Sequence, residues 1–466
     1  MLLRPLTLAH HPVENGIQFD KFPVFDFNRG FPTAMRLAMT ERTTGTSSSA
    51  APLQRRPIIK TVMPNGLTVL TKEIPHCPVV STIIFYRVGS RNEEEGQTGK
   101  SHFLEHMLFK GTTRYPKGSI DHTTLVNGGA NNAFTSEDCT AYYFDFSADR
   151  FEVALDIEAQ RMVDTQFFPE EFEHEKQVVT EELKINLDSP WGALGQEVRA
   201  TAFKVHPYRH PVVGWIEDLT RASRQEMEAY YRRFYHPNNA ILVLVGGFAP
   251  DRLLQMVEST FGSIPRGPDV PPVKIAEPPQ RGEKRVTLKR PGQIERIHMA
   301  YHAPSVSEAD AYALRLAALT LSGGRSSRLY QRLIEHERSA VSVSVEFSES
   351  IDPTLLEVRA EVVPEKTLDG VEAAISEEAS RLQEELLTRE ELEKTKNMIE
   401  AHFEFGRERA LNDAIQTGYA EAIIGYEHLD TYVDRIRAVT AQEVRDAAQK
   451  YLGIDNRTVG WLRCKQ

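Results

Sequence analysis

On either side of Pro64-Asn65-Gly66 the chain alternates apolar and polar residues, which predicts strands over Ile58–Met63 and Leu67–Lys72 closed by a hairpin turn. A β-branched run, Val79–Val88, reads as a strand that stops near Gly89. Cys139–Phe146 reads as another, and Ala240–Gly246, apolar almost throughout, as a buried one. Helical periodicity marks Asp149–Asp164, Phe168–Asp188 and Ser223–Tyr235. Pro169 near the start of the second of these, and the glutamates of its first turns, suit the positive end of a helix. From Ile264 to Gly282 six prolines gather among charged residues, the composition of an extended linker.

The pattern then repeats. Ser223-Arg224-Gln225-Glu226 is a capping box leading to Phe234, Asn238-Asn239 and a strand. Thr440-Ala441-Gln442-Glu443 does the same, leading to Tyr451, Asp455-Asn456 and a strand near Thr458–Leu462, at a constant spacing of 217 residues. Landmarks of four kinds in fixed register indicate duplication. The expected fold class is α+β: two duplicated domains, each a mainly antiparallel sheet packed with helices, facing each other around a cavity. The expected divisions are an N-terminal extension over 1–56, a first domain over 57–263, a linker over 264–284 and a second domain over 285–466.

Chemistry concentrates in the first copy, at His102-Phe103-Leu104-Glu105-His106. Four residues are about one helical turn, so His102 and His106 stack on one face and can share a metal ion. Glu105 lies beside them, placed to take a proton from water. The order is the inverzincin signature, which points to metal-assisted peptide hydrolysis. With 15 histidines in 466 residues, chance supplies the pattern on the order of a few hundredths of a time per chain. A catalytic zinc wants three protein ligands and an open position. Glu175 and Glu182, two turns apart on one face of the Phe168–Asp188 helix, are candidates for the remainder. Glu182 follows His106 by 76 residues, room for a strand pair and two helices, whereas Glu181 points about 100° away. The alternative readings are a histidine pair in the core or on the surface, and a solvated acidic helix face.

Several runs, taken in order, resemble the pitrilysin/insulinase superfamily of zinc peptidases. They are Gly99-Lys100-Ser101-His102 through Gly111-Thr112, Asn131-Asn132-Ala133-Phe134-Thr135-Ser136 with Thr140-Ala141-Tyr142, Glu175 through Glu182, and His206-Pro207-Tyr208 with Pro211-Val212-Val213-Gly214. The nearest resemblance is to the short-chain branch, the mitochondrial processing peptidase β-type subunits and their bacterial relatives. It extends from Ile58 to the C-terminus, strongly in the first half and loosely in the second. It implies one Zn²⁺ per chain held by His102, His106 and Glu182, with Glu105 as general base and Glu175 orienting a ligand histidine. It further implies that Asn132 and Ala133 lie on an edge strand that accepts substrate as an added strand. The alternative account of Asn132 is an asparagine that ends the Gly128-Gly129 turn. Relatives with complete sites carry an arginine and, seven residues on, a tyrosine in the second half. Here Ile334 and Val341 occupy those positions, and neither donates a hydrogen bond. The resemblance therefore implies a heterodimer in which a paralogous subunit supplies the pair, unless Arg328 with Tyr330, Arg332 or Arg338 serves from nearby.

Composition narrows the rest. A net charge of −11 argues against nucleic acid and anionic membranes as partners. No apolar stretch reaches the length of a membrane span. Cys77, Cys139 and Cys464 form no framework and sit in no nucleophile motif, so a reducing, cytoplasmic location is expected. Residues 1–56 lack an apolar core and carry Glu14, Asp20, Asp26 and Glu41, which fits neither a secretory signal nor a transit peptide. They read as a disordered extension or as sequence ahead of a start at Met35 or Met39. Gly323-Gly324 reads as a helix-ending turn, not a phosphate loop. His10-His11, His122 and His174 read as solvated. Three function classes survive: a zinc endopeptidase, a non-catalytic scaffold of the same fold, and a peptide-binding module.

Overall fold

A computed structural model describes residues 56–465. The readings of the N-terminal extension, its start sites and His10-His11 fall outside the described residues. The hairpin forms as β1 (Ile59–Val62) and β2 (Thr68–Glu73) around Gly66, whose φ of +92° only glycine adopts easily. There follow β3 (Val79–Tyr86), α1 (Lys100–Met107), α2 (Ser119–Val126), β4 (Ala130–Thr135), β5 (Thr140–Ser147), α3 (Glu152–Asp164) and α4 (Pro169–Asp188). The first half continues through α5 (Pro190–Ala202), α6 (Ile216–Arg221), α7 (Arg224–Phe234), β6 (Ala240–Gly246) and α8 (Pro250–Phe261). Helix α3 begins three residues later than its periodicity suggests, because the Ser147 hydroxyl bonds the Asp149 carboxylate at 2.6 Å and holds a turn there.

Residues 263–283 carry neither helix nor strand, and the second half opens with β7 (Lys284–Pro291) and β8 (Arg296–Ala303). Next come α9 (Asp310–Ser322), a π-helical turn over Tyr330–His336, β9 (Ala340–Phe347) and β10 (Thr354–Val362). The chain ends with α10 (Leu368–Glu384), α11 (Arg389–Phe405), α12 (Ala410–Ile423), α13 (His428–Ala438), α14 (Ala441–Tyr451) and β11 (Arg457–Lys465). Both predicted capping boxes are present, at Ser223/Glu226 and Thr440/Glu443. Helix α9 ends at Gly323-Gly324, with Gly324 at φ +78°.

The two sheets share one topology. The first runs β1-β2-β6-β3-β5-β4 and the second β7-β11-β8-β10-β9. In each, a single parallel pair (β2 with β6, β7 with β11) joins an otherwise antiparallel sheet. Apart from β1, every strand of one has its counterpart in the other.

Each sheet packs its own helices on one face and takes a helix from the other half on its second face. Helix α12 covers the first sheet, burying Ala410 and Ala414 against Leu70, Ile83, Phe85 and Val243. A Cβ on Gly418 would lie 2.1 Å from the Phe85 ring, so glycine sets that approach. Reciprocally, α5 lays Leu194, Val198 and Ala202 on Ala300, Leu355 and Leu462 of the second sheet. Buried polar contacts reinforce the join. Asp413 of α12 pairs with Lys72 at 2.5 Å and Arg407 at 2.7 Å. Asp138 accepts from the Tyr208 hydroxyl at 2.6 Å and from the Ile351 amide at 3.0 Å, while Arg91 pairs with Asp352 at 2.7 Å. The connecting segment is clamped as well, since Glu277 accepts the amides of Lys204, Val205 and His206 at 2.6–2.9 Å. No helix among the described residues is long and apolar enough to cross a membrane.

Candidate metal centre

Helix α1 is short and wholly buried, so tertiary contacts must hold it. Gly99 precedes it at φ +84°, where a Cβ would lie 2.5 Å from the Val213 carbonyl. The helix start is gripped by two buried carboxylates. Glu93 accepts the amides of Gly99 and Ser101, each at 2.7 Å, and Asp218 accepts the Thr98 amide at 3.1 Å and hydroxyl at 2.7 Å. Such acceptor oxygens satisfy amides that a helix N-terminus leaves unpaired. Phe103 stacks on Phe172 of α4 with ring centroids 4.9 Å apart, which locks the two helices together. Helix α4 buries Phe172, Glu175, Val179 and Leu183, a helical stripe that turns Glu175 and Glu182 toward α1. Glu181 instead points outward and pairs with Lys184.

The two imidazoles lie with centroids 4.8 Å apart. Glu182 Oε1 is 3.7 Å from His102 Nε2, and its Oε2 is 3.5 Å from His106 Nε2. Among the described residues this is the one group of three such side chains able to hold a metal ion, with all donor atoms within 4.8 Å of one another. Zinc bonds of about 2.0–2.2 Å in tetrahedral array put donors roughly 3.3–3.6 Å apart, so donors within 4.8 Å of one another need to draw in by about 1 Å to hold the ion. Two nitrogens and one oxygen leave a fourth position open. Behind them, Glu175 bonds His106 Nδ1 at 2.8 Å and takes Lys110 Nζ at 2.5 Å on its other oxygen. That contact sets the ring orientation and aims Nε2 at Glu182.

Electrostatics separates the five groups. Burial lowers the His102 pKa to about 4, with His106 adding to the effect, so its ring is neutral with a lone pair to offer. Burial also opposes charge on His106, but Glu175 and Glu182 outweigh it and lift the ring to about 9. Burial would raise Glu175 and Glu182, yet their contacts with His106 hold both below the ordinary carboxylate range. Glu105 goes the other way: burial raises it to about 7 against the pull of His106 and a hydrogen bond from Thr135.

Asn132 and Ala133 sit on β4, the outermost strand of the first sheet, which pairs only with β5. The Asn132 side chain accepts the Ala133 amide at 2.9 Å. In the second half, Ile334 packs against the core from the π-helical turn, while Val341 is exposed on β9. Arg328 is held by Glu391 in a two-pronged pair of 2.8 and 3.2 Å, and Arg332 by Glu337, Glu377 and Glu378. His122 and His174 are exposed. The three cysteines are free, and burial raises the Cys139 thiol to about 12, which removes it as a nucleophile at neutral pH. Two residues near the centre escaped the sequence reading, Glu93 and Thr135. Glu93 is one of three consecutive glutamates, and no local signal singles it out.

A His-x-x-Glu-His helix met by a carboxylate from a second helix, on a duplicated α+β scaffold, is a donor set that could hold a metal ion. Known proteins agree. Residues 68–214 match the family described as Insulinase (Peptidase family M16), and residues 221–399 match Peptidase M16 inactive domain. An uncharacterized zinc protease of Mycobacterium leprae is 29% identical over 398 residues, covering 85% of this chain and 89% of that protein. The solved structure of a protease from Helicobacter pylori is 25% identical with a TM-score of 0.85, covering 88% of this chain and all of that one. A structure of the peptidase M16 inactive domain from Pseudomonas fluorescens, at 16% identity and TM-score 0.81, shares the fold. The chain belongs to the insulinase family of peptidases, M16, in the pitrilysin/insulinase superfamily.

Proposed function

We propose that the protein is a zinc-dependent endopeptidase acting on extended or unfolded peptides. The convergence of His102, His106 and Glu182 beside Glu105 carries this reading. A zinc ion held there supplies Lewis acidity and brings the pKa of a water toward neutrality. Glu105, next to His106 on the same helix, accepts the proton from the attacking water and returns it to the departing amine. Glu175 and Lys110 keep His106 oriented through the cycle. The free edge of β4 receives the peptide as an added strand, and Ala133 is small enough to let the two backbones approach. Zinc as the metal is supported by the name of the Mycobacterium leprae relative.

The oxyanion of the tetrahedral intermediate needs donors that Ile334 and Val341 do not offer. The nearby Arg328 and Arg332 are already committed to carboxylates, and Arg338, the remaining alternative, is exposed. Both facts support a heterodimer in which a paralogous subunit brings an arginine and a tyrosine. The free thiols fit a reducing, cytoplasmic setting. A second reading, a non-catalytic scaffold or peptide-binding subunit, is favoured by the inactive-domain match over residues 221–399. Metal analysis and turnover of the parent and Glu105→Gln proteins, with and without the paralogue, separate them. The enzyme keeps its zinc and loses hydrolysis, whereas a protein that cleaves nothing in either setting is a scaffold. Full activity without a partner removes the heterodimer.

A further inference from the structure

The Glu105 carboxylate is held on one side only. The Thr135 hydroxyl donates to its Oε2 at 2.6 Å, and among the described residues no other hydrogen bond to this carboxylate is present. Both side chains are buried. Thr135 is the last residue of β4, the strand whose outer edge nothing in the sheet covers. Side chains alternate along this strand. Phe134 joins the core beneath α12, whereas Ala133 joins the core on the α1 side. Thr135, two residues on from Ala133, therefore faces α1. The strand end is anchored, because Thr135 pairs with Thr140, whose hydroxyl bonds the Val88 carbonyl at 2.9 Å.

We propose that Thr135 is a positioning residue whose hydroxyl pins Oε2 of Glu105, leaves Oε1 as the proton acceptor, and ties the base to the peptide-receiving strand. The inference rests on the peptidase reading. A base must sit within hydrogen-bond reach of the proton it takes, and a looseness of about 1 Å is enough to lose the geometry. Without the hydroxyl, the carboxylate turns freely about its last bond, and a shift of β4 on peptide binding no longer reaches it. With the hydroxyl in place, one oxygen always accepts from Thr135, so the proton gained from water resides on the other. From there it is delivered to the amine.

Two variants test this: Thr135→Val keeps the shape and removes the hydroxyl, and Thr135→Ser keeps the hydroxyl and removes the methyl group. The valine protein is expected to lose about 10- to 100-fold in kcat with KM changed less than about twofold, and the serine protein to recover to within about threefold of the parent. Zinc content stays at the parental level in both. Unchanged kcat in the valine protein overturns the proposal, as does a loss confined to KM, or an equal loss in the serine protein, which would assign the effect to methyl packing. Crystal structures of the zinc-loaded parent and valine proteins give a readout independent of turnover: the Glu105 carboxylate is expected to rotate, and an unmoved carboxylate overturns the idea. A parent protein that hydrolyses nothing with or without the paralogue removes the peptidase reading, and the carboxylate position then decides the role of Thr135 by itself.

Discussion

The two halves of this chain are built on one plan and do different work. Strand order, the single parallel pair and the capping boxes correspond position by position, yet only the first half places imidazoles on the helix that follows its third strand. In the second half that place is taken by α9, an apolar helix of alanines and leucines. The same contrast appears at a charged pair. On α3, Glu158 and Arg161 are fully buried, the guanidinium lying 4.5 Å from the Phe109 ring centroid and 5.3 Å from those of Tyr142 and Phe144. On α10, the helix in the corresponding position, Glu378 pairs with an Arg381 that is half exposed. The scaffold is common to both halves, and at this pair of equivalent helices the fully buried arginine belongs to the half with the candidate metal site. Topology is thus independent of chemistry here.

Four experiments sharpen or break this contrast. The largest effect is expected from the centre itself: chelation, or His106→Ala, should abolish hydrolysis and remove bound metal, while no substitution on α9 should change metal content. Residual hydrolysis in metal-free protein would break the contrast. Next are the paired arginines. Arg161→Ala leaves Glu158 buried without its partner and should cost about 3–5 kcal/mol in denaturant unfolding. Arg381→Ala, on the exposed counterpart, should cost less than about 1 kcal/mol. Equal costs would show that burial is not what distinguishes them.

The third experiment concerns the joint between the halves. Burial raises the Asp138 pKa to about 6, more than the donors from Tyr208, Ile351 and Arg91 can reverse. The folded protein therefore holds this proton at a pH where the unfolded chain has released it. Stability from this group is complete below about pH 4, declines as pH rises to about 6 and is level above, a change on the order of 2–3 kcal/mol. Melting curves across that range should show the decline, and Asp138→Asn should remove it. The smallest effects are those expected to be alike in the two halves: Ser223→Ala and Thr440→Ala should each cost about 1 kcal/mol. Markedly unequal costs would argue against equivalent roles for the two caps.

Much of this architecture was legible because its signals are local. The Asn65-Gly66 turn, the capping boxes, the unbroken apolar run Ala240–Gly246 and the proline-rich connection each declare themselves within a few residues. His102, Glu105 and His106 likewise need only one turn of helix. Glu182 required a partner 76 residues away and was reached through resemblance to a family. The donor from Thr135 to Glu105 and the grip of Glu93 on Gly99 and Ser101 carry no local mark, since ordinary residues acquire those roles only when β4 and the loop before α1 are brought together. The exchange of α5 and α12 was invisible for the same reason: each helix buries a face against strands of the other half.

That exchange makes the duplication inseparable. A gene fragment ending within the proline-rich segment would encode a sheet whose Ile83, Phe85 and Val243 have lost their cover, and it should aggregate. A protease that nicks the finished protein in the same segment should release nothing, because each piece still holds a helix of the other. Expressed together from two separate messages, the pieces should find one another and rebuild the whole.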